Sequence, residues 1–234
     1  MKKLTIVIPC YNEEKNIPLI LERLVKVVKR DDIEFLLVDN GSTDGSKEVL
    51  EKLIPKYNFA KTIRVPVNQG YGFGILQGLA ATDSLYIGWT HADMQTDPYD
   101  IIRGLEILEK EETKDCYVKG SRTGRPIFDQ FFTIGMSFFE TLYMGKPLWD
   151  INAQPNIFPR TFFESWKNPP HDFSLDLYAL YQAKIQGLKV LRFTVVFPPR
   201  IHGQSSWNTG LKAKWKFIKR TFDFSIKLKK ELKN

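Results

Sequence analysis

The stretch Trp89-Thr-His-Ala-Asp-Met-Gln-Thr-Asp-Pro98 carries residue types that could seat a cation against a phosphate. An apolar run over 84–89 predicts a buried strand, and the polar residues after it stop at a proline able to open a helix, so Asp93 is expected where that strand reaches solvent. In an open α/β sheet, ligands collect outside the carboxyl ends of the strands, and a carboxylate fixed there can hold Mg2+ or Mn2+ against a diphosphate. Three further polar clusters follow apolar runs: Pro9-Cys-Tyr-Asn-Glu13, Val38-Asp-Asn-Gly-Ser-Thr-Asp44 and Asn68-Gln-Gly-Tyr-Gly72. One such cluster is ordinarily a turn; four on one rim describe a polar crevice. Tyr11 can stack on a base, Glu13 and Asp39 can accept from base or ribose donors, and the glycine-rich stretch 68–74 lets backbone approach a ligand closely.

The elements that must position these residues follow from periodicity. Residues 4–9 are a continuous apolar, β-branched run of the kind buried on both faces of a parallel sheet, and 33–40, 62–67 and 84–89 repeat the plan as further strands. Helical patterns lie between and after them, over 17–29, from the turn at 41–45 to about 55, up to about 81, and over 98–112; Asp44 and Asp97 are expected to cap helices. Such alternation implies right-handed crossovers with helices on both faces. A fifth strand is expected at 116–122, then an aromatic segment at 126–149, read as a core helix pair or a surface that meets lipid. After it come a strand or loop at 150–160, a short helix, a longer helix stopped by Gly187, and a strand ended by Pro198-Pro199.

The totals bound the reading. With 234 residues, 43% of them hydrophobic, the chain can bury a real core and reads as one domain with a tail. Two cysteines make neither a disulfide framework nor a metal motif, which fits a reducing cytoplasm. The first apolar run is too short, and too soon followed by Asn12, Glu13 and Glu14, for a secretory signal, and no stretch of about 20 apolar residues predicts a membrane span. The net charge of +7 is uneven: residues 211–234 hold nine basic and two acidic side chains, while the rest balances at 25 each. Within that tail Leu211, Trp215, Ile218, Phe222 and Ile226 recur at spacings of three and four, the pattern of a basic amphipathic helix. It reads as an anchor for an anionic membrane surface, or as a helix docked on the domain; a neutral body argues against nucleic acid.

Together VIPCYNEE, LLVDNGSTDGS, NQGYGFGILQG, HADMQTDP, KGSR and RIHGQSSW resemble the family 2 glycosyltransferases of GT-A fold, and within them the polyprenyl-phosphate sugar transferases. The resemblance implies a Rossmann-like, mixed but mainly parallel sheet over 1–210, with 211–234 as an appended helix. It implies transfer of a sugar, with inversion, from a nucleoside-diphosphate sugar to a lipid acceptor such as polyprenyl phosphate, by an enzyme peripheral to the cytoplasmic face of a membrane. An integral-membrane partner is a further candidate. By position Pro9, Tyr11, Glu13, Asp39, Asn68, Gly70, Ala92 and Asp93 would hold the nucleotide sugar, and Asp93 with Gln95 the divalent cation. Family members carry Asp-x-Asp where this chain has His91 and Asp93, so His91 is a candidate ligand that brings one negative charge fewer. Arg122 and Arg200, with Ser205, occupy the positions that hold acceptor phosphate in relatives. A phosphate monoester is already largely ionised near neutrality and needs cations, whereas a hydroxyl acceptor needs a base. Asp172 and Asp176 lie where hydroxyl-glycosylating relatives keep that base, and Asp176 could equally belong to a solvated helix face. The NAQPN segment, 152–156, departs from the Ser-Gly-Phe of the dolichol-phosphate enzymes and suggests altered donor or acceptor contacts. A hydroxyl acceptor, on a glycan or diacylglycerol, and a catalytically silent nucleotide-sugar binder are the competing readings.

Overall fold

The computed structural model describes residues 2–124, 127–198, 202 and 211–231. Seven strands form one sheet in the order β3-β2-β1-β4-β6-β5-β7: β1 Leu4–Cys10, β2 Ile33–Asn40, β3 Ala60–Val65, β4 Tyr86–Trp89, β5 Cys116–Thr123, β6 Asn156–Pro159 and β7 Lys189–Val196. The first four strands are parallel, β6 runs antiparallel to both β4 and β5, and β5 pairs parallel with β7. The expected mixed, mainly parallel sheet is therefore present, and the stretch left as strand or loop supplies its antiparallel member. β3 lies two residues earlier than the apolar run suggests.

Continuous apolar strands are what a doubly covered sheet requires, and the side chains divide with period two. Leu4, Ile6 and Ile8 of β1 and Ile33, Phe35 and Leu37 of β2 enter one core. Val7, Leu36 and Val38 enter the other. The first core is closed by α1 (Asn16–Val27), α2 (Ser46–Leu53) and α4 (Tyr99–Glu109), the second by α3 (Tyr71–Ala80) and α7 (Leu175–Ile185). A short α6 spans Arg160–Glu164. β6 fits between its neighbours because each presents a glycine: a Cβ on Gly88 would lie 1.9 Å from Asn156 O, and one on Gly120 would lie 2.0 Å from Gln154 O.

One expectation changes. The aromatic segment forms one helix, α5 (Ile127–Met144), instead of a pair, and its partner is α8 (Leu211–Glu231) from the tail. α8 docks through Thr221, Ser225 and Leu228, which are buried, and Phe222 packs against Phe139 and Tyr143 with ring centroids 5.0 and 6.0 Å away. The tail thus packs on the body, while Trp215 of its apolar stripe stays 68% exposed. On α5, Ile134, Phe138 and Leu142 form a second outward stripe at four-residue spacing.

Candidate functional site

The register of the parallel strands brings the predicted clusters to one rim. Cys10 pairs with Asp39 and Val7 with Trp89, so the segments leaving β1, β2 and β4 emerge side by side. The 11–14 and 41–46 loops are stitched together there: Ser42 Oγ and Ser46 Oγ accept the N–H groups of Asn12 and Glu13 (3.1 and 2.8 Å), and Glu14 Oε2 accepts that of Gly45 (3.0 Å). Asp39 is buried; its Oδ1 accepts the Ser42 N–H at 2.9 Å, and its Oδ2 lies 3.1 Å from Arg64 Nη1. Glu13 Oε2 accepts from the Asn16 amide at 2.6 Å, Pro9 is half-buried, and Tyr11 stands 47% exposed.

The close approach permitted by the glycine-rich stretch is made to the chain itself. Asn68 Oδ1 accepts the Gly70 N–H at 2.8 Å, Gly70 adopts φ +116°, and a Cβ there would sit 2.3 Å from His171 O. Left-handed φ and the absent side chain of Gly70 let the 70–72 turn nest against the 170–172 loop. Tyr71, the first residue of α3, is consequently fixed, stacking on Phe173 at 4.5 Å between centroids.

Beyond β4, Ala92 and Asp93 are buried, and Asp93 Oδ1 accepts the Gln95 N–H at 3.1 Å around a Met94 with φ 59°. The Gln95 side-chain nitrogen donates to Pro198 O at 3.0 Å. His91 Nδ1 faces Asp93 Oδ2 across 3.7 Å, and its Nε2 lies 3.1 Å from the Tyr71 hydroxyl. The donor types fit a hard cation: a buried carboxylate, an amide oxygen and a nearby imidazole. Among the described residues no three His, Cys, Asp or Glu side chains come together, so phosphates and water would complete the coordination. Asp97 accepts the Tyr99 N–H at 2.9 Å just ahead of α4 and pairs with Arg23 at 2.8 Å.

On the other side of β4 the polar groups turn inward. Asp176 is 1% exposed, which overturns the solvated-face reading: the first turn of α7 points it at the sheet. Its Oδ1 accepts from Gln154 Nε2 (3.0 Å) and Asn156 Nδ2 (3.3 Å), and lies 3.8 Å from Lys119 Nζ. Lys119, fully buried, donates to Ala153 O (2.8 Å) and Asn156 Oδ1 (2.5 Å). Burial pulls the Lys119 ammonium down to about 7, against the opposing pull of Asp176. Asn156 Oδ1 also accepts from Tyr117 (2.6 Å), and Gln154 Nε2 reaches the Tyr71 hydroxyl at 3.4 Å. Burial, then Asp176, pushes that phenol well above its ordinary value. Asp172 instead accepts the Ser174 N–H and lies 3.6 Å from Arg220.

Arg122, expected to meet acceptor phosphate, is clamped to Asp150 through Nε (2.9 Å) and Nη2, and stacks over Phe197 at 5.3 Å. It still lines a pocket with Met136, Asn152, Phe173, Leu177 and Thr221. Arg200 and Ser205 lie outside the described residues. The sequence did not single out Lys119 or Tyr71; a lysine directly after the apolar start Cys116-Tyr-Val of the strand was the available signal.

A family model described as "Glycosyl transferase family 2" matches residues 5–168. An undecaprenyl-phosphate 4-deoxy-4-formamido-L-arabinose transferase from Photorhabdus laumondii is 34% identical over 47% of this chain and 35% of its own length. A dolichyl-phosphate beta-glucosyltransferase from Trichomonas vaginalis is 30% identical over 57% of this chain and 46% of its own. The chain thus spans less than half the length of these relatives. Mycobacterium tuberculosis glucosyl-3-phosphoglycerate synthase, solved with Mn2+, UDP and glucosyl-3-phosphoglycerate, superposes with a TM-score of 0.71 at 18% identity, covering 94% of this chain and 77% of that one. The same enzyme solved with Mg2+ and UDP gives 0.68 at 17%, covering 91% and 76%. These likenesses show a common GT-A fold.

Proposed function

We propose that this chain, which belongs to glycosyl transferase family 2, moves a sugar from a nucleoside-diphosphate donor to a lipid phosphate at a membrane surface. The nucleoside would lie on the stitched 11–14 and 41–46 loops, with Tyr11 stacking and Asp39 and Glu13 accepting from base or ribose. Asp93 and Gln95 would hold the divalent cation, which when bound neutralises the charge that develops on the departing diphosphate. In an inverting displacement, an acceptor phosphate oxygen forms the new bond to the anomeric carbon while the bond to the diphosphate oxygen breaks.

The observation that favours phosphate over hydroxyl is the environment of Asp176. Committed to Lys119, Gln154 and Asn156, it is a structural counter-ion instead of a base facing an acceptor. A phosphate needs no base; it needs cationic and hydroxyl donors, which Arg122, Arg200 and Ser205 would supply. The Arg122–Asp150 pair implies that the arginine is held in place by its carboxylate, its position preset. The polyprenyl-phosphate enzymes among the relatives support the same acceptor class.

Replacing Asp93 by Asn, assayed for nucleoside diphosphate release with polyprenyl phosphate and Mn2+ or Mg2+, should lower turnover about 10²–10³-fold, the scale of a lost transition-state charge contact. Undiminished turnover would sink the cation assignment. Transfer to a diacylglycerol hydroxyl that depends on Asp172 would instead establish the hydroxyl reading.

Membrane association rests on the two outward stripes. No helix among the described residues is long and apolar enough to cross a bilayer, but Phe138, Leu142 and Trp215 are each about two-thirds exposed, and the lysine-rich α8 suits an anionic surface. The full chain should float with anionic vesicles, and Phe138→Glu with Trp215→Glu should abolish flotation while leaving the thermal midpoint in place. Indifference of the unaltered chain to such vesicles would remove the peripheral assignment.

A further inference from the structure

We propose that α8 is a working part of the acceptor pocket: through Arg220 it positions Phe173, a side chain that walls the pocket around Arg122. Arg220 is then a positioning residue, and α8 does more than face a membrane. The clamp on Phe173 stands on the contacts alone; only its effect on the acceptor rests on the reading proposed above.

Phe173 belongs to two neighbourhoods. It lines the pocket that also holds Arg122, Met136, Asn152 and Leu177, and its ring stacks on Tyr71, with centroids 4.5 Å apart and 10° between the planes. Close backbone packing supports that stack. Phe73 N–H donates to His171 O at 3.0 Å, and a Cβ on Gly72 would lie 2.6 Å from Pro170 O and 2.7 Å from Asp172 O. The 170–173 loop and the start of α3 are therefore fitted to each other as one piece. α8 supplies a further support. The Arg220 guanidinium lies over the Phe173 ring, 5.1 Å from its centroid, and its Nε is 3.6 Å from Asp172 Oδ2. Asp172 is itself fixed, because its Oδ1 accepts the Ser174 N–H at 2.8 Å just before α7. The ion pair is partly exposed and by itself contributes little. The contact with the ring adds the orientation that the pair lacks, since it requires the cation above the aromatic face. Thr221, the next residue, is buried and lines the same pocket. Two consecutive residues of α8 thus reach the pocket, one as lining and one through Phe173. Trp215, 68% exposed, precedes Arg220 by five residues, about 7.5 Å along the axis at roughly 1.5 Å per residue. The helix that offers an apolar side chain to a bilayer therefore also shapes the pocket for a lipid-borne phosphate.

The test compares two full-length variants, Arg220→Met, which removes the charge, and Arg220→Lys, which keeps a cation. Amide hydrogen exchange reads the clamp without any substrate. In Arg220→Met the segments 71–76 and 171–176 should exchange roughly tenfold faster, the scale of one lost cation–aromatic contact, while the 11–14 and 41–46 loops exchange as in the natural chain. Arg220→Lys should recover part of the protection. Unchanged exchange at 171–176 in a folded Arg220→Met chain overturns the proposal, and so does equal acceleration everywhere, which would make Arg220 a contributor to global stability only. In transfer to polyprenyl phosphate, Arg220→Met should raise the acceptor KM about tenfold at unchanged kcat. An unchanged KM, or a fall in kcat at unchanged KM, overturns the acceptor role. Should the exchange difference appear in a protein whose natural chain transfers no sugar to polyprenyl phosphate, the clamp stands and the functional reading falls.

Discussion

Polar side chains on the two sides of β4 find their partners in different ways. On the β1–β2 side the loops are tied to one another, but the carboxylates and amides also accept N–H groups close by in sequence: Asp39 from Ser42, Asp44 from Ser46, Asn68 from Gly70, each within three residues. On the β5–β6 side the partners are far apart in sequence and buried: Lys119 with Asp176, Arg122 with Asp150, Glu140 with Ser225. The first arrangement shapes a rim from turns and leaves it open to a ligand. The second places charge inside the protein, where it is held by the whole fold and where removing one partner is expensive. The largest predicted effect tests that difference. Lys119→Met leaves Asp176 buried without its cation and should destabilise by about 3–5 kcal/mol. Adding Asp176→Asn should recover part of this in denaturant unfolding. A single substitution below about 1 kcal/mol would mean that the β5–β6 network is no more demanding than the rim.

Glu140 sharpens the contrast, because this carboxyl at the α5–α8 contact is held by a hydroxyl and, among the described residues, by no cation. Ser225 Oγ donates to its Oε2 at 2.6 Å, while Oε1 has no hydrogen-bond partner among the described residues. Burial raises the group from 4.5 to about 7, with the Ser225 hydrogen bond pulling the other way. A carboxyl whose pKa rises on folding holds its proton more tightly in the native state. Its stabilising contribution is therefore fully present below about 4.5, declines as pH rises toward 7, and is gone above that. Glu140→Gln should match the natural chain at pH 4 and exceed it by about 2–3 kcal/mol at pH 8. Thermal midpoints across that range would measure it, and parallel curves for the two proteins would show that the α5–α8 contact is wetter than the structure makes it.

The same contrast explains what could be read from the sequence. Strands β1, β2 and β4 were legible because a strand covered on both faces must be apolar throughout, and the rim because turn chemistry is local: Asp39 and Asp93 accept N–H groups two or three residues ahead. The Lys119–Asp176 network was not legible, since nothing in residues 57 positions apart announces that a β5 lysine and an α7 aspartate share a buried site. Arg122 was found by its motif while its partner Asp150 was not, for the same reason. The tail shows a third case. The stripe at 211–226 pointed to an amphipathic helix, but the residues buried are Thr221, Ser225 and Leu228, with Ser225 donating to Glu140 of α5, a partner 85 residues away that the spacing of the tail does not announce.

Asp44 offers the smallest and most local test. Its Oδ1 accepts the Ser46 N–H at 3.0 Å as α2 begins, and its Oδ2 accepts the Glu14 N–H at 3.3 Å across the two rim loops. Both bonds involve a half-buried carboxylate that water can replace on the exposed side. Asp44→Ala should therefore act as the loss of a helix cap, about 1 kcal/mol, or a fall of roughly 2–4 °C in thermal midpoint for a domain of this size. Asp44→Asn, which keeps an oxygen for the Ser46 N–H, should restore most of it. If Asp44→Ala instead costs as much as Lys119→Met, the rim loops are part of the same cooperative lock as the buried network, and the division at β4 between locally satisfied and globally held polar groups fails.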